Sequence, residues 1–315
     1  MESKIALVFG ALGQDGSFIC DILLEKGYIV YGLIKPDSNE KRLLNDRIIY
    51  LKKDITSKEK IKKIILDVNP THIFNFMGLT NIFNPWDNAE IIYNYNFLIP
   101  FRIIECINEV NTKIKFLQAS SSLVFGLTNE SPQNEQTTRN PVYHYGISKN
   151  LTDDIIKLYR DKYNLFLCSA ILYPHESERR NDNFFSQKII KESFDILRGK
   201  KNKIHIGDID SFRDVGYAKD YMEACFLIIN QVKPDDYVIG SGKSIKNIDF
   251  IEKVFNLLGL DVNTQLVFDN TLKREYNLSH LIADNKKIKS IGWTPNKNID
   301  DIITVMINKQ FNNNE

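Results

Sequence analysis

Residues 4–34, KIALVFGALGQDGSFICDILLEKGYIVYGLI, decide the fold. Lys4 to Phe9 is a short, continuous apolar run, the pattern of a parallel strand buried on both faces. It enters Gly10-Ala11-Leu12-Gly13-Gln14-Asp15-Gly16, a G-x-x-G-x-x-G turn. Phe18, Ile19, Ile22 and Leu23 then recur at helical spacing, and Gly27 ends the helix. Tyr28 to Ile34 reads as a second strand. Strand, glycine turn, helix and strand in this order open a dinucleotide-binding fold. The glycines permit a tight turn and let a pyrophosphate approach the backbone at the helix N-terminus, where free N–H groups and the dipole favour an anion. Gly10, Gly13, Gln14, Asp15 and Gly16 are therefore expected against a cofactor.

The residues after the second strand select that cofactor. A carboxylate there suits the ribose hydroxyls of NAD, whereas NADP calls for an Arg or Lys on its extra phosphate. Ile34-Lys35-Pro36-Asp37-Ser38 offers one cation and one carboxylate, and a single Lys without an Arg fork is a weak phosphate clamp. NAD over NADP, with Asp37 on the ribose, is the expectation. Arg47 to Leu51 reads as a third strand, with Asp54 and Ile55 just beyond it. Asp54 serves either the adenine amine or the N-terminal region of a helix over 57–68. A fourth strand over 71–76 leads to Gly78, small enough to let a cofactor pass closely. A helix over 89–110 carries Asn96, a polar residue in an apolar stretch that either bridges or faces solvent.

Ile114 to Ala119 is a further apolar run, and it ends in Ser120-Ser121-Ser122. After a polar loop, Tyr145-Gly146-Ile147-Ser148-Lys149 opens a helix. Tyr145 and Lys149 are four apart and share a face. The Lys149 charge is expected to favour the Tyr145 phenolate, making it a base near neutral pH. A lone Y-x-x-x-K is common. Its weight here comes from the α/β pattern, which implies a parallel, doubly wound sheet whose ligands lie beyond the strands' carboxyl ends. Gly10 to Gly16, Gly78 to Thr80 and Ser120 to Ser122 all lie at such ends and aim at one crevice. Ser121, Tyr145 and Lys149 are the candidate catalytic residues, the last two also meeting the cofactor.

Composition narrows the rest. The chain has 315 residues, 43% hydrophobic and 26% charged, with a formal net charge of +1. That suits a real core, carries no nucleic-acid footprint and leaves no apolar run long enough for a membrane span. MESKIALVFG runs directly into a strand without a signal-peptide pattern. Cys20, Cys106, Cys168 and Cys225 stand apart in apolar stretches, as buried free thiols of a reducing, cytoplasmic compartment. No cysteine or histidine cluster suggests a metal. Residues 1–172 with 214–242 are expected to bind the dinucleotide, and 173–213 with 243–315 to form a smaller lobe whose helix over 184–199 closes on the substrate.

Several runs carry a resemblance: GALGQDGSF (10–18), QASSSLVFG (118–126), HESERR (175–180), RDVGYAKDY (213–221), Asp284 and IGWTP (291–295). Over nearly the whole chain the sequence resembles the extended short-chain dehydrogenase/reductases and, within them, the GDP-mannose 4,6-dehydratase family. The resemblance implies a GDP-sugar substrate, with Arg213 and Arg274 on its diphosphate, Lys188 nearby, and Ser122, His175 and Glu176 as further substrate contacts. It places Arg179 and Arg180 in a loop that supports subunit contacts and the neighbouring cofactor. It also implies at least a homodimer, paired through the helices over 89–110 and 145–162. Departures from the family's pattern are specific. Its Glu after S-T-S is Leu123, its Arg pair after the second strand is Lys35-Pro36, its Asn before H-E-S is Pro174, and its Glu after R-P-T is Asn277. A carboxylate is needed to take the C5 proton and expel the C6 hydroxyl, and leucine moves no proton. The expected reaction is oxidation of the C4 hydroxyl of a GDP-linked manno-configured hexose or heptose, with a second small molecule as final hydride acceptor. The alternatives are a 4,6-dehydratase with a substitute base such as His144, a C4 epimerase or 4-keto reductase, and a non-catalytic nucleotide sensor.

Overall fold

The computed structural model describes residues 4–35, 43–79, 86–272, 278 and 281–312. Its centre is a sheet of β1 (Ile5–Phe9), β2 (Ile29–Ile34), β3 (Ile49–Lys52), β4 (His72–Asn75), β5 (Lys115–Ala119), β6 (Leu167–Leu172) and an edge strand, Tyr237–Ile239. The order is β3-β2-β1-β4-β5-β6-edge, and every pairing is parallel. The helices up to residue 258 are α1 (Gln14–Glu25), α2 (Lys58–Val68), α3 (Ala89–Tyr93), α4 (Ile99–Val110), α5 (His144–Tyr163), α6 (Phe185–Leu197), α7 (Ala218–Ile229) and α8 (Asn247–Leu258). Ile19 and Leu23 of α1 and Cys225 and Ile228 of α7 bury one sheet face. Ile61 and Ile65 of α2, Ile103 and Ile107 of α4, and Ile156 of α5 bury the other. Cover on both faces is why β1 and β6 are apolar without alternation.

The strand order reverses between β1 and β4, so the crevice opens beyond Phe9 and Asn75. Two glycines shape it. Gly10 has φ +80°, and a Cβ there would sit 3.0 Å from the Met77 nitrogen. Gly16 falls inside α1, where a Cβ would come within 2.1 Å of the Gly10 carbonyl oxygen. Only glycine lets the helix start this close to the strand that feeds it.

The helix expected over 89–110 runs its full length but is interrupted by a π-turn at Asn94–Leu98. Pro100 has no N–H to give the Asn96 carbonyl, and Thr152 Oγ1 donates to that oxygen at 2.6 Å. The Asn96 side chain is a bridge, as one of its two expected roles required. Its Oδ1 accepts from the Leu79 N–H at 2.8 Å and its Nδ2 donates to the Leu79 carbonyl at 2.9 Å. The segment after β4 is thereby tied to the helix beside the crevice.

A separate core joins α6, α8, the short strand Ile204–Ile206 and the helix Ile299–Asn312. The segment between them behaves differently: Leu281, Ala283, Ile288 and Trp293 pack with the sheet core, although the sequence assigns 243–315 to the lobe. Trp293 Nε1 donates to the Asp220 carbonyl at 2.8 Å, and the Asp220 carboxylate accepts from the Asn296 N–H at 2.7 Å. The RDVGYAKDY and IGWTP runs thus owe part of their pattern to holding each other. All four cysteines are buried and unpaired.

Candidate active site

Ser121, two residues beyond β5, is extended and caps the 3₁₀ turn Ser122–Val124, its Oγ accepting from the Leu123 N–H at 3.2 Å. The same hydroxyl lies beside the Tyr145 phenol and favours its ionised form. One turn further along α5, Lys149 is buried, and its Nζ donates to the Ala119 carbonyl at 2.7 Å. That nitrogen lies 5.8 Å from the Tyr145 ring centroid and 3.4 Å from where a Cβ on Gly78 would be. Hydroxyl, phenol and amine therefore meet at the end of β5, next to the segment after β4.

The electrostatics depart from the simplest expectation. Burial raises the Tyr145 phenol, and the Ser121 hydroxyl is the main opposing influence. Burial lowers the Lys149 ammonium to about 8, with Asp153 and then Asp15 pulling it back up. Lys149 is turned to a backbone carbonyl and weakened by desolvation, so it does not by itself deliver a phenolate at neutral pH.

The Lys149 shift carries a sign. A lysine at about 8 in the folded chain and 10.5 unfolded has its desolvation cost fully present below pH 8. As the pH climbs from 8 to 10.5 the unfolded state holds more protons, so folding gains stability over that window. Between pH 7 and 10.5, the wild type is expected to gain about 3 kcal/mol relative to Lys149→Met, read from urea midpoints at the two pH values. Parallel pH dependence of the two proteins would contradict the buried ammonium.

Around this centre, the glycine turn is locked to the His175 segment. His175 Nε2 pairs with Asp15 Oδ1 at 3.0 Å, and its Nδ1 lies 2.7 Å from the Tyr173 carbonyl oxygen. Gln14 Oε1 accepts from Ser177 Oγ at 2.7 Å. Burial works against both charges of the pair, yet each supports the other: His175 is raised and Asp15 lowered. Two residues expected at the cofactor, Gln14 and Asp15, thus also bind the segment that contains His175 and Glu176. Glu176 is buried with its carboxylate 3.2 Å from Arg180 Nε, an ion pair without hydrogen-bond alignment. Arg179 folds back on α1, donating to Asp21 at 2.7 Å and stacking 4.0 Å over Phe18.

A cleft of about 300 Å³ follows the carboxyl ends of β1 to β3, lined among others by Gly10, Gly13, Lys35, Asp54 and Ile55. Asp54 lines it but spends its carboxylate on Lys60 and on the Thr56 N–H at 2.8 Å. Lys60 draws that carboxyl down to about 2. Lys35 Nζ stands 5.7 Å from the Tyr95 ring centroid. A second cleft of about 510 Å³ is lined by Lys188, Lys201, Lys203 and His205. Arg213 sits on the strand Phe212–Asp214 with its guanidinium 4.6 Å over the Phe185 ring. The Asp214 carboxylate accepts from the Ser241, Gly242 and Ala283 N–H groups at 2.8, 2.9 and 3.0 Å. Ser122 is buried. Asp37, Arg274 and Asn277 lie outside the described residues.

Ser120 is the clear displacement. Expected at the crevice, its Oγ turns inward and donates to Asp153 at 2.6 Å. His144 joins an aromatic group, its Nδ1 3.3 Å from the Tyr93 hydroxyl and its ring edge-on to Trp86 at 5.6 Å. Asp153, Arg139 and Thr152 were not singled out by the sequence. Their only signal there was polarity on the inner face of a helix or in a loop.

Set against known proteins, residues 7–306 match the family described as GDP-mannose 4,6 dehydratase. The chain belongs to that family. GDP-mannose 4,6 dehydratase 1 of Arabidopsis thaliana is 32% identical over 98% of this chain and 90% of its own length. The GDP-mannose 4,6-dehydratase of Yersinia enterocolitica is 27% identical over 96% and 93%. Among solved structures, UDP-glucose 4-epimerase of Thermotoga maritima superposes with a TM-score of 0.89 at 20% identity, covering 99% of this chain and 100% of that one. dTDP-glucose 4,6-dehydratase of Bacillus anthracis, solved with NAD, gives 0.86 at 18% identity over 99% and 97%. These last two share the fold. No helix among the described residues is long and apolar enough to cross a membrane.

Proposed function

We propose that this chain oxidises the C4 hydroxyl of a GDP-linked, manno-configured hexose or heptose to the 4-keto sugar and stops there. The carrying observation is Leu123. It stands two residues after Ser121 and packs, partly buried, against the sheet core, at the position that the resemblance gives to the family's glutamate. Its side chain has no proton to give or take, so the C5 proton and C6 hydroxyl stay in place.

The residues divide the work. Tyr145 takes the C4 hydroxyl proton, and Ser121 donates to the oxygen as it becomes a ketone. Lys149 holds the ribose beside Gly78. The glycine turn and α1 N-terminus suit a pyrophosphate, and the cleft beside Lys35 and Asp54 suits an adenosine. NAD, when bound there, supplies the hydride acceptor, and the solved Bacillus anthracis structure of the same fold holds NAD. Arg213 and Lys188, with Arg274, are assigned to the diphosphate. Each sugar oxidised leaves one reduced cofactor, so turnover requires a second small molecule that accepts the hydride.

The test is mass spectrometry of the product from purified protein, NAD and either GDP-mannose or GDP-manno-heptose, with nicotinamide absorbance followed in parallel. A product lighter by two hydrogens, with reduced cofactor formed or passed to a keto acid, is the expected result. A product lighter by one water, with no net reduction, refutes it and makes the chain a dehydratase with another base.

A further inference from the structure

Three residues of α5, Tyr145, Lys149 and Asp153, stand one turn apart on a single face. Each engages a different one of three consecutive residues at the end of β5. Tyr145 lies beside Ser121, Lys149 donates to the Ala119 carbonyl at 2.7 Å, and Asp153 accepts from Ser120 Oγ at 2.6 Å. The proposed reaction uses the first two contacts and leaves the third unexplained.

Asp153 is buried, and it gathers further partners. It accepts from Ser169 Oγ of β6 and from Arg139 Nη1 at 2.8 Å, and the same Arg139 nitrogen reaches Asn150 Oδ1 at 3.2 Å. A buried carboxylate held by a guanidinium and two hydroxyls is a poor device for stability alone, because apolar groups of the same shape often serve as well. Its position is more telling. It joins α5, β6 and the loop of Arg139 at the point from which Ala119 and Ser121 are presented.

We propose that Asp153 is a positioning residue for hydride transfer. Through Ser120 it sets the Ala119 carbonyl and the Ser121 hydroxyl against Lys149 and Tyr145, and its charge supports the Lys149 ammonium. Only the kinetic arm of its test rests on the proposed reaction. The charges around the group are few. Lys149 faces Asp153 and Asp15, Asp153 faces Arg139 and Asp236, and Tyr145 faces Asp15 and Arg180. Asp153 is the stronger of the two carboxylates acting on Lys149. Neutralising it therefore makes Lys149 release its proton at lower pH.

The experiment follows the Lys149 titration by NMR in full-length, lysine-labelled protein, with the resonance assigned by its loss in Lys149→Met. In Asp153→Asn, proton affinity at Lys149 is expected to fall about tenfold. The kcat falls about tenfold or more while KM for the GDP-sugar stays within twofold. Ser120→Ala, which keeps the carboxylate, lowers kcat without moving the Lys149 midpoint. An unchanged midpoint in Asp153→Asn overturns the proposal. Should that variant fail to fold, Asp153→Asn with Arg139→Met leaves no unpaired buried charge and carries the same readout. If the wild type transfers no hydride, the proposed reaction fails while the Lys149 midpoint still decides the role of Asp153.

Discussion

Tyr145→Phe is expected to lower kcat by about 10²- to 10⁴-fold while leaving the affinity for GDP-sugar within a few-fold. The ring stays beneath Lys149, so packing at the start of α5 is retained. What disappears is the hydroxyl to which the proposal assigns the C4 proton. The nucleotide end is assigned to Arg213, Lys188 and Arg274, none of which depends on the phenol. Stopped-flow nicotinamide absorbance measures the first quantity and calorimetry with the GDP-sugar the second. Full turnover in this variant ends the proposed mechanism. Loss of binding together with turnover would show that Tyr145 orders the site as well as reacting in it. The pH profile adds a constraint. Burial holds the phenol above its usual range and brings Lys149 down to about 8. Oxidation should therefore speed up as the pH rises toward 8 and then lose the support of the Lys149 charge.

Much of this architecture was legible because its signals are local. The apolar run of β1, the glycines and the period of α1 lie within 31 consecutive residues, and each has one physical explanation. Tyr145 and Lys149 were legible for the same reason, since a shared helical face follows from spacing alone. The resemblance supplied the family, and its match over 7–306 agrees.

What the sequence did not display depends on contacts between distant segments. Ser120 and Ser121 are neighbours with the same side chain, and the extended chain leaving β5 sends them in opposite directions. One meets Asp153 and the other Tyr145. The π-turn at 94–98 depends on Pro100, Thr152 and Leu79 together. No periodicity encodes that combination. Lys149 was expected to lower the Tyr145 phenol by its charge. The fold overrules this with burial, which weakens the ammonium and disfavours the phenolate at once. Its effect is invisible until the crevice has walls.

Leu123→Glu is the stronger test of what this member of the family does, because it is expected to add a reaction rather than remove one. Leu123 lies in the 3₁₀ turn after Ser121, and its carbonyl oxygen would be 2.6 Å from a Cβ on Gly146 of α5. The backbone at 123 is thus fixed against the helix that carries Tyr145. A glutamate there enters a partly buried position where desolvation raises its carboxyl, which suits a group that must take the C5 proton and return it to the departing C6 hydroxyl. Burying the carboxylate costs roughly 1–3 kcal/mol of stability, so the folded fraction is checked first by thermal unfolding. With folded protein, the 4-keto product should give way in part to one lighter by a water, and net reduced cofactor should fall in proportion. The two readouts are linked: elimination ends with the hydride returned to the sugar, so every dehydrated molecule leaves the cofactor oxidised. A folded Leu123→Glu that still releases only the 4-keto sugar would mean that the missing carboxylate is not what separates this chain from a dehydratase. The explanation would then have to be sought in how the sugar is held around Pro174 and the segment after Gly78.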